Sequence, residues 1–139
     1  MSPYIPVDLV RQVRSRAHEI CEYCLLPQQS QEATFHIDHI VPRQAGGLTE
    51  ASNLALACVT CSLRKAAKSQ GRDPLTGLSA QLFDPRRQTW LEHFTLNDEF
   101  LFEGLTSTGR ATIETLGMNR ATIVSIRKEL NFLGLFPPE

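Results

Sequence analysis

The fold is decided by two short stretches, Cys21-Glu22-Tyr23-Cys24 and Cys58-Val59-Thr60-Cys61, which together hold all four cysteines of this 139-residue chain. In each stretch two residues separate the cysteines, a spacing that lets both sulfurs face one ion at about 2.3 Å. In a reducing compartment cysteines are thiols or metal ligands rather than disulfides. The pattern predicts one zinc ion held by Cys21, Cys24, Cys58 and Cys61, and the alternative is unligated buried cysteines or a redox pair. Four thiolates leave no open coordination position, so we expect this zinc to stabilise the fold rather than to catalyse.

Composition is that of a folded chain without a membrane segment. Hydrophobic residues make up 42% and charged residues 21% of the sequence, as is usual for globular proteins. No run approaches the roughly 20 apolar residues of a membrane span, and the first residues lack the layout of a signal peptide. We therefore expect a cytoplasmic protein with no membrane partner.

Basic residues are concentrated locally, although the formal net charge is only −1. That net charge argues mildly against a protein whose whole surface binds nucleic acid. Residues 58–72, however, contain Arg64, Lys65, Lys68 and Arg72 and no acidic residue. This stretch predicts a phosphate-contacting helix, and a solvated charged face is the alternative.

Hydrophobic periodicity and turn residues predict an α+β fold. In the first part we expect a helix over about residues 7–18, strands over 34–40 and 53–57, and a helix over 62–69. A linker at 73–77 is then followed by strands at 90–96 and 99–105 and helices at 108–116 and 120–133, with Asn119 as the N-cap of the last. These elements divide into a core with its N-terminal helix, residues 1–72, and a small C-terminal hairpin-plus-helices extension, residues 73–139, that packs on the core. The last two helices faintly resemble a helix-turn-helix, but simple packing is the favoured interpretation.

Between the two cysteine pairs the chain resembles the HNH endonuclease family, also called ββα-metal nucleases. The resemblance spans about residues 18–68 and depends on the order of its motifs more than on any one of them. The matching residues are Cys21-x-x-Cys24, His36-Ile37-Asp38-His39-Ile40-Val41-Pro42-Arg43, Gly46-Gly47, Asn53-Leu54 and Cys58-x-x-Cys61 followed by Lys65. It implies a zinc-stapled ββα-metal core.

The resemblance also implies roles for three residues. His39 corresponds to the general base, a role suited to an imidazole whose ordinary pKa lies near 6.5. Asp38 would bind a divalent cation, Mg²⁺ or another, that neutralises charge on the phosphate and the departing 3′ oxygen. Asn53 would brace the loop that carries His39.

Ser62 departs from the family pattern. The position just after the last cysteine usually holds Asn or His as the second protein ligand of the catalytic cation. Either Ser62 binds the cation through water, or His36 replaces it, because alternation along the strand places His36 on the same face as Asp38. A third interpretation is a degenerate site that binds DNA without cutting it.

The sequence therefore predicts a metal-dependent endonuclease that hydrolyses phosphodiester bonds of double-stranded DNA. The residues expected to contact DNA are Arg43, Arg64, Lys65 and Lys68. The alternative is a catalytically degenerate, zinc-stapled DNA-binding or interaction module. Nothing in the sequence indicates the oligomeric state.

Overall fold

An antiparallel hairpin flanked by two helices forms the first half of the molecule. In the computed structural model, which describes residues 4–139, the elements of this half are α1 (Val7–Arg16), β1 (His36–His39), β2 (Leu54–Ala57) and α2 (Val59–Lys65). β1 and β2 pair antiparallel, with His36 opposite Ala57 and His39 opposite Leu54. The chain order β1, β2, α2 is a ββα unit, as the sequence predicted.

The strand β2 lies at the centre of this half. All four of its side chains are fully buried, and both α1 and α2 contact it. A strand covered on both faces has no polar alternation, which explains the continuous sequence Leu-Ala-Leu-Ala. The strand leads directly into the second cysteine pair.

Helix α2 is shorter than predicted and begins earlier, at Val59 rather than Ser62. The main-chain N–H of Cys61 donates to Cys58 Sγ at 3.4 Å, so the second cysteine pair itself forms the first turn of the helix. The helix ends at Lys65 because Ala66 has a φ of 50°, outside the helical region. The predicted extension to residue 69 is wrong.

Two hairpins and three helices form the second half. Its elements are β3 (Gln70–Arg72), β4 (Ser79–Gln81), α3 (Trp90–His93), β5 (Phe94–Leu96), β6 (Phe102–Gly104), α4 (Ser107–Leu116) and α5 (Ala121–Phe132). β3 pairs with β4, and β5 with β6, both antiparallel. Residues 73–77, predicted as a linker, are the turn of the first hairpin, where Asp73 accepts hydrogen bonds from Leu75 N–H and from Arg110. The predicted boundary at residue 72 therefore falls inside a hairpin.

Two further predictions for the second half are wrong. Trp90–His93 forms a helical turn rather than the start of a strand, because Trp90 and Phe94 are four residues apart and pack against each other with ring centroids 4.8 Å apart. Asn119 does not cap α5. Its side-chain amide instead bonds both the N–H and the C=O of Phe102, at 2.8 Å each, and ties the turn before α5 to β6.

One continuous hydrophobic core joins the two halves. It contains Val13 of α1, the strand β2, Phe83, Phe94 of β5 and Leu116 of α4. The indole N–H of Trp90 donates to the carbonyl of Tyr23 at 2.8 Å, so the C-terminal extension contacts the first cysteine pair directly. The α+β prediction is confirmed. No helix within residues 4–139 is long and apolar enough to cross a membrane.

Candidate metal centre and active site

The four cysteines come together in one buried cluster. Their sulfur atoms all lie within 4.8 Å of one another, and Cys24 Sγ is 3.7 Å from Cys58 Sγ. Zinc–sulfur bonds of about 2.3 Å in a tetrahedron place the sulfurs about 3.8 Å apart, so the cluster fits the predicted ion. In each pair the second cysteine's N–H approaches the first cysteine's sulfur, at 3.5 Å for Cys24 and 3.4 Å for Cys61. This four-cysteine cluster has the donor set of a structural zinc site.

The four sulfurs of the cluster also influence one another's ionisation. The sulfurs of Cys21 and Cys24 hold the pKa of the Cys61 thiol well above its ordinary value. Several buried thiolates in contact are unfavourable without a compensating positive charge. A zinc ion provides that charge and deprotonates its ligands.

Asp38 lies at the floor of a cleft of about 920 Å³ beside the ββα unit. Its carboxylate is 8% exposed, accepts a hydrogen bond from the Tyr23 hydroxyl at 3.0 Å and lies 3.2 Å from the Lys65 ammonium. Burial raises the pKa of Asp38, while the positive charge of Lys65 and the Tyr23 hydrogen bond oppose that rise. The two donors therefore favour the ionised carboxylate that a cation requires.

His39 is next to Asp38 in β1 and lines the same cleft. Its Nε2 lies 2.8 Å from the Thr49 hydroxyl oxygen, which fixes the ring. Burial lowers the pKa of His39, Asp38 opposes the decrease, and Arg43 adds to it. The lowered pKa favours the neutral imidazole, the form that accepts a proton.

The side chain of Asn53 bonds the main chain of the loop that follows His39. Its amide accepts from Val41 N–H at 2.9 Å and donates to Val41 O at 3.1 Å and to Leu48 O at 2.9 Å. Gly47 is required in this loop because a Cβ there would lie 1.8 Å from the Val41 carbonyl oxygen. Gly46 before it adopts φ 90°.

His36 and Ser62, the two alternatives for the second cation ligand, contact each other. His36 Nδ1 lies 2.8 Å from Ser62 Oγ, and both residues line the cleft with Asp38. The structure thus places the two candidates together.

The four predicted DNA-contacting residues divide into two groups. Arg43, Arg64 and Lys68 are exposed. Lys65 is 2% exposed, and its ammonium donates to the carbonyls of His39 and Ile40 at 3.0 and 3.2 Å and pairs with Asp38. This burial contradicts the predicted contact between Lys65 and DNA, because the ammonium has no free donor on the surface.

Sequence reasoning missed two residues of the site, Tyr23 and Thr49. Tyr23 lies inside the first cysteine pair, and Thr49 lies between the Gly46-Gly47 and Asn53-Leu54 motifs. Their roles depend on contacts 15 and 10 residues away along the chain, which no local pattern predicts.

A ββα unit with an Asp-His pair on a cleft and a four-cysteine cluster at its base is the arrangement of a ββα-metal domain. Residues 21–68 match the family model described as HNH endonuclease, so this segment is an HNH domain. The match confirms the resemblance and indicates a nuclease-type function. No curated protein and no solved structure matches the chain.

Proposed function

We propose that the protein is a metal-dependent endonuclease that hydrolyses phosphodiester bonds of double-stranded DNA. The observation that supports this most strongly is the pairing of Asp38 and His39 on one cleft, with the His39 ring fixed by Thr49 at 2.8 Å. A module that only binds DNA has no need for a carboxylate and an oriented neutral imidazole side by side.

His39 is the proposed general base. We assign the ring hydrogen to Nε2, where the Thr49 hydroxyl accepts it, and this assignment leaves a lone pair on Nδ1. Within residues 4–139 no group donates to Nδ1. In the proposed step Nδ1 takes a proton from water as the water oxygen attacks phosphorus, and the bond to the 3′ oxygen breaks. The 3′ oxygen leaves as an alkoxide and takes a proton from solvent water, so the products are a 5′-phosphate and a 3′-hydroxyl.

Asp38 is the proposed ligand of a divalent cation. Hard cations such as Mg²⁺ prefer oxygen ligands and keep several waters, so one carboxylate on an open cleft fits this chemistry. When bound, the cation would neutralise the charge that develops on the phosphate and the leaving oxygen.

His36 is the proposed second ligand. Histidines that bind metals usually use their other ring nitrogen for a hydrogen bond that fixes the ring. Ser62 provides that partner for His36 Nδ1, which leaves Nε2 free to bind the cation. Ser62 then orients His36 and does not itself bind the cation.

Arg43, Arg64 and Lys68 are the proposed phosphate contacts. All three are exposed, and Arg43 also lines the cleft. Contacts of this kind position the DNA backbone over the Asp38–His39 pair without reading sequence.

Incubation of supercoiled plasmid with the zinc-loaded protein, with Mg²⁺, with Mn²⁺ and with a chelator, tests the proposal. We expect nicked or linear DNA with a divalent cation and intact plasmid with the chelator. End labelling should show 5′-phosphates. DNA binding at low salt with no cleavage under any cation would contradict the proposal and favour the degenerate binding module.

A further inference from the structure

The two oxygens of the Asp38 carboxylate have different surroundings. Oδ2 accepts from the Tyr23 hydroxyl at 3.0 Å and lies 3.2 Å from Lys65 Nζ. Oδ1 receives no hydrogen bond from any group in residues 4–139. Only one oxygen is therefore bound by the protein, although the whole carboxylate is 8% exposed.

Tyr23 is held rigidly beside Oδ2. Its side chain is fully buried, and its ring packs edge-on against Phe83 with centroids 6.5 Å apart. Its carbonyl accepts from the Trp90 indole N–H.

Lys65, which follows the second cysteine pair, binds the same oxygen, Asp38 Oδ2. Its three ammonium hydrogens match three acceptors: Asp38 Oδ2, the His39 carbonyl and the Ile40 carbonyl. Because the Lys65 ammonium bonds two consecutive main-chain carbonyls, it also fixes the backbone that follows Asp38.

We infer that Tyr23 and Lys65 are positioning residues that hold Asp38 by Oδ2 and thereby direct Oδ1 toward the catalytic cation. Tyr23 lies between Cys21 and Cys24, and Lys65 lies one helical turn after Cys61. The folded four-cysteine cluster thus places both donors, which connects the structural zinc to the geometry of the cation ligand. This inference depends on the proposed role of Asp38 as cation ligand.

Direct Mn²⁺ binding without DNA tests the inference apart from cleavage. Mn²⁺ is titrated into the zinc-loaded protein and its variants. The electron paramagnetic resonance signal measures the Mn²⁺ that remains free. Tyr23→Phe keeps the buried ring and removes one hydrogen bond, so we expect roughly 10–100-fold weaker Mn²⁺ binding with one zinc per chain retained. Tyr4→Phe, which removes the hydroxyl of the chain's other tyrosine at the rim of the cleft, should leave Mn²⁺ affinity unchanged.

Lys65→Arg provides a second, charge-conserving variant. If Lys65 acted only through its charge, this variant would bind Mn²⁺ as the parent does. A planar guanidinium does not reproduce the three contacts of the ammonium, so we expect weaker Mn²⁺ binding.

Each result is decisive. Parental Mn²⁺ affinity in zinc-loaded Tyr23→Phe would overturn the inference. Loss of zinc from Tyr23→Phe would also overturn it, because Tyr23 would then be needed for the structural zinc site. Parental Mn²⁺ affinity in Asp38→Asn would instead overturn the proposed cation site itself.

Discussion

The side-chain amide of Asn53 forms a paired hydrogen bond with the main chain of Val41. Val41 N–H donates to Asn53 Oδ1 at 2.9 Å, and Asn53 Nδ2 donates to Val41 O at 3.1 Å. Val41 follows His39 by two residues, and the Asn53 carbonyl also accepts from Ile40 N–H. The asparagine thus fixes the backbone immediately after the proposed base.

Replacement of Asn53 by alanine should destabilise the protein and reduce cleavage. It leaves Val41 N–H and Val41 O without their partner, and a polar group left unsatisfied away from water costs about 1–3 kcal/mol. Denaturant unfolding of the zinc-loaded variant measures the loss. Asn131→Ala, which removes one hydrogen bond from an exposed side chain, is the matched control and should lose less. Equal stability of the two variants would contradict the bracing role.

Replacement of Cys58 by serine should release the zinc and unfold the protein. Binding free energy of a structural zinc is folding free energy, and the Cys58 sulfur also accepts from Cys61 N–H at the start of α2. Elemental analysis and circular dichroism measure the two effects. Thr60→Ser, within the same cysteine pair, should keep the zinc. A zinc-free protein that unfolds cooperatively would show that the four-cysteine assignment is wrong.

Metal titrations distinguish His36 from Ser62 as the second cation ligand. If His36 binds through Nε2, His36→Ala should raise the Mg²⁺ concentration needed for half-maximal cleavage more than Ser62→Ala does. Ser62→Asn should then bring no gain, because the coordination position is already filled. A titration that changes in Ser62→Ala and not in His36→Ala would make the serine the ligand.

The salt dependence of DNA binding tests the proposed phosphate contacts. Each contact that Arg43, Arg64 or Lys68 makes contributes about 1 to the slope of log affinity against log salt concentration. Lys68→Gln should therefore reduce the slope by about 1. Arg87→Gln, at an exposed arginine already paired with Asp84, serves as the control and should leave it unchanged. An unchanged slope in all three single variants would remove these residues from the interface.

The candidate site was largely predictable because its motifs lie within 48 residues of the chain. The spacing of residues within each motif determines its local geometry. Two residues between cysteines predict a shared ion, and alternation along the strand predicts that His36 shares a face with Asp38. The burial of Lys65 was predictable only from the correct helix start. Once α2 begins at Val59, Lys65 lies four residues after buried Cys61 and shares its face.

The second half was harder to predict because its local patterns fit more than one structure. Trp90 and Phe94 fit a strand by residue type but pack at helical spacing. Residues 73–77 have the composition of a linker, and only the distant Arg110 identifies Asp73 as part of a packed turn. Asn119 has the residue type of a helix cap, yet β6 offers it two main-chain partners. In each case a tertiary contact decides between local alternatives.

The most direct test of the account is the cleavage rate of His39→Ala with its DNA affinity measured in parallel. His39 acts on water in the proposed mechanism, so the variant should lose about 10²–10⁴-fold in rate. It should also keep its zinc and bind DNA nearly as the parent does. A His39→Ala variant that cleaves plasmid at the parental rate would contradict the account, because another residue would then be the general base.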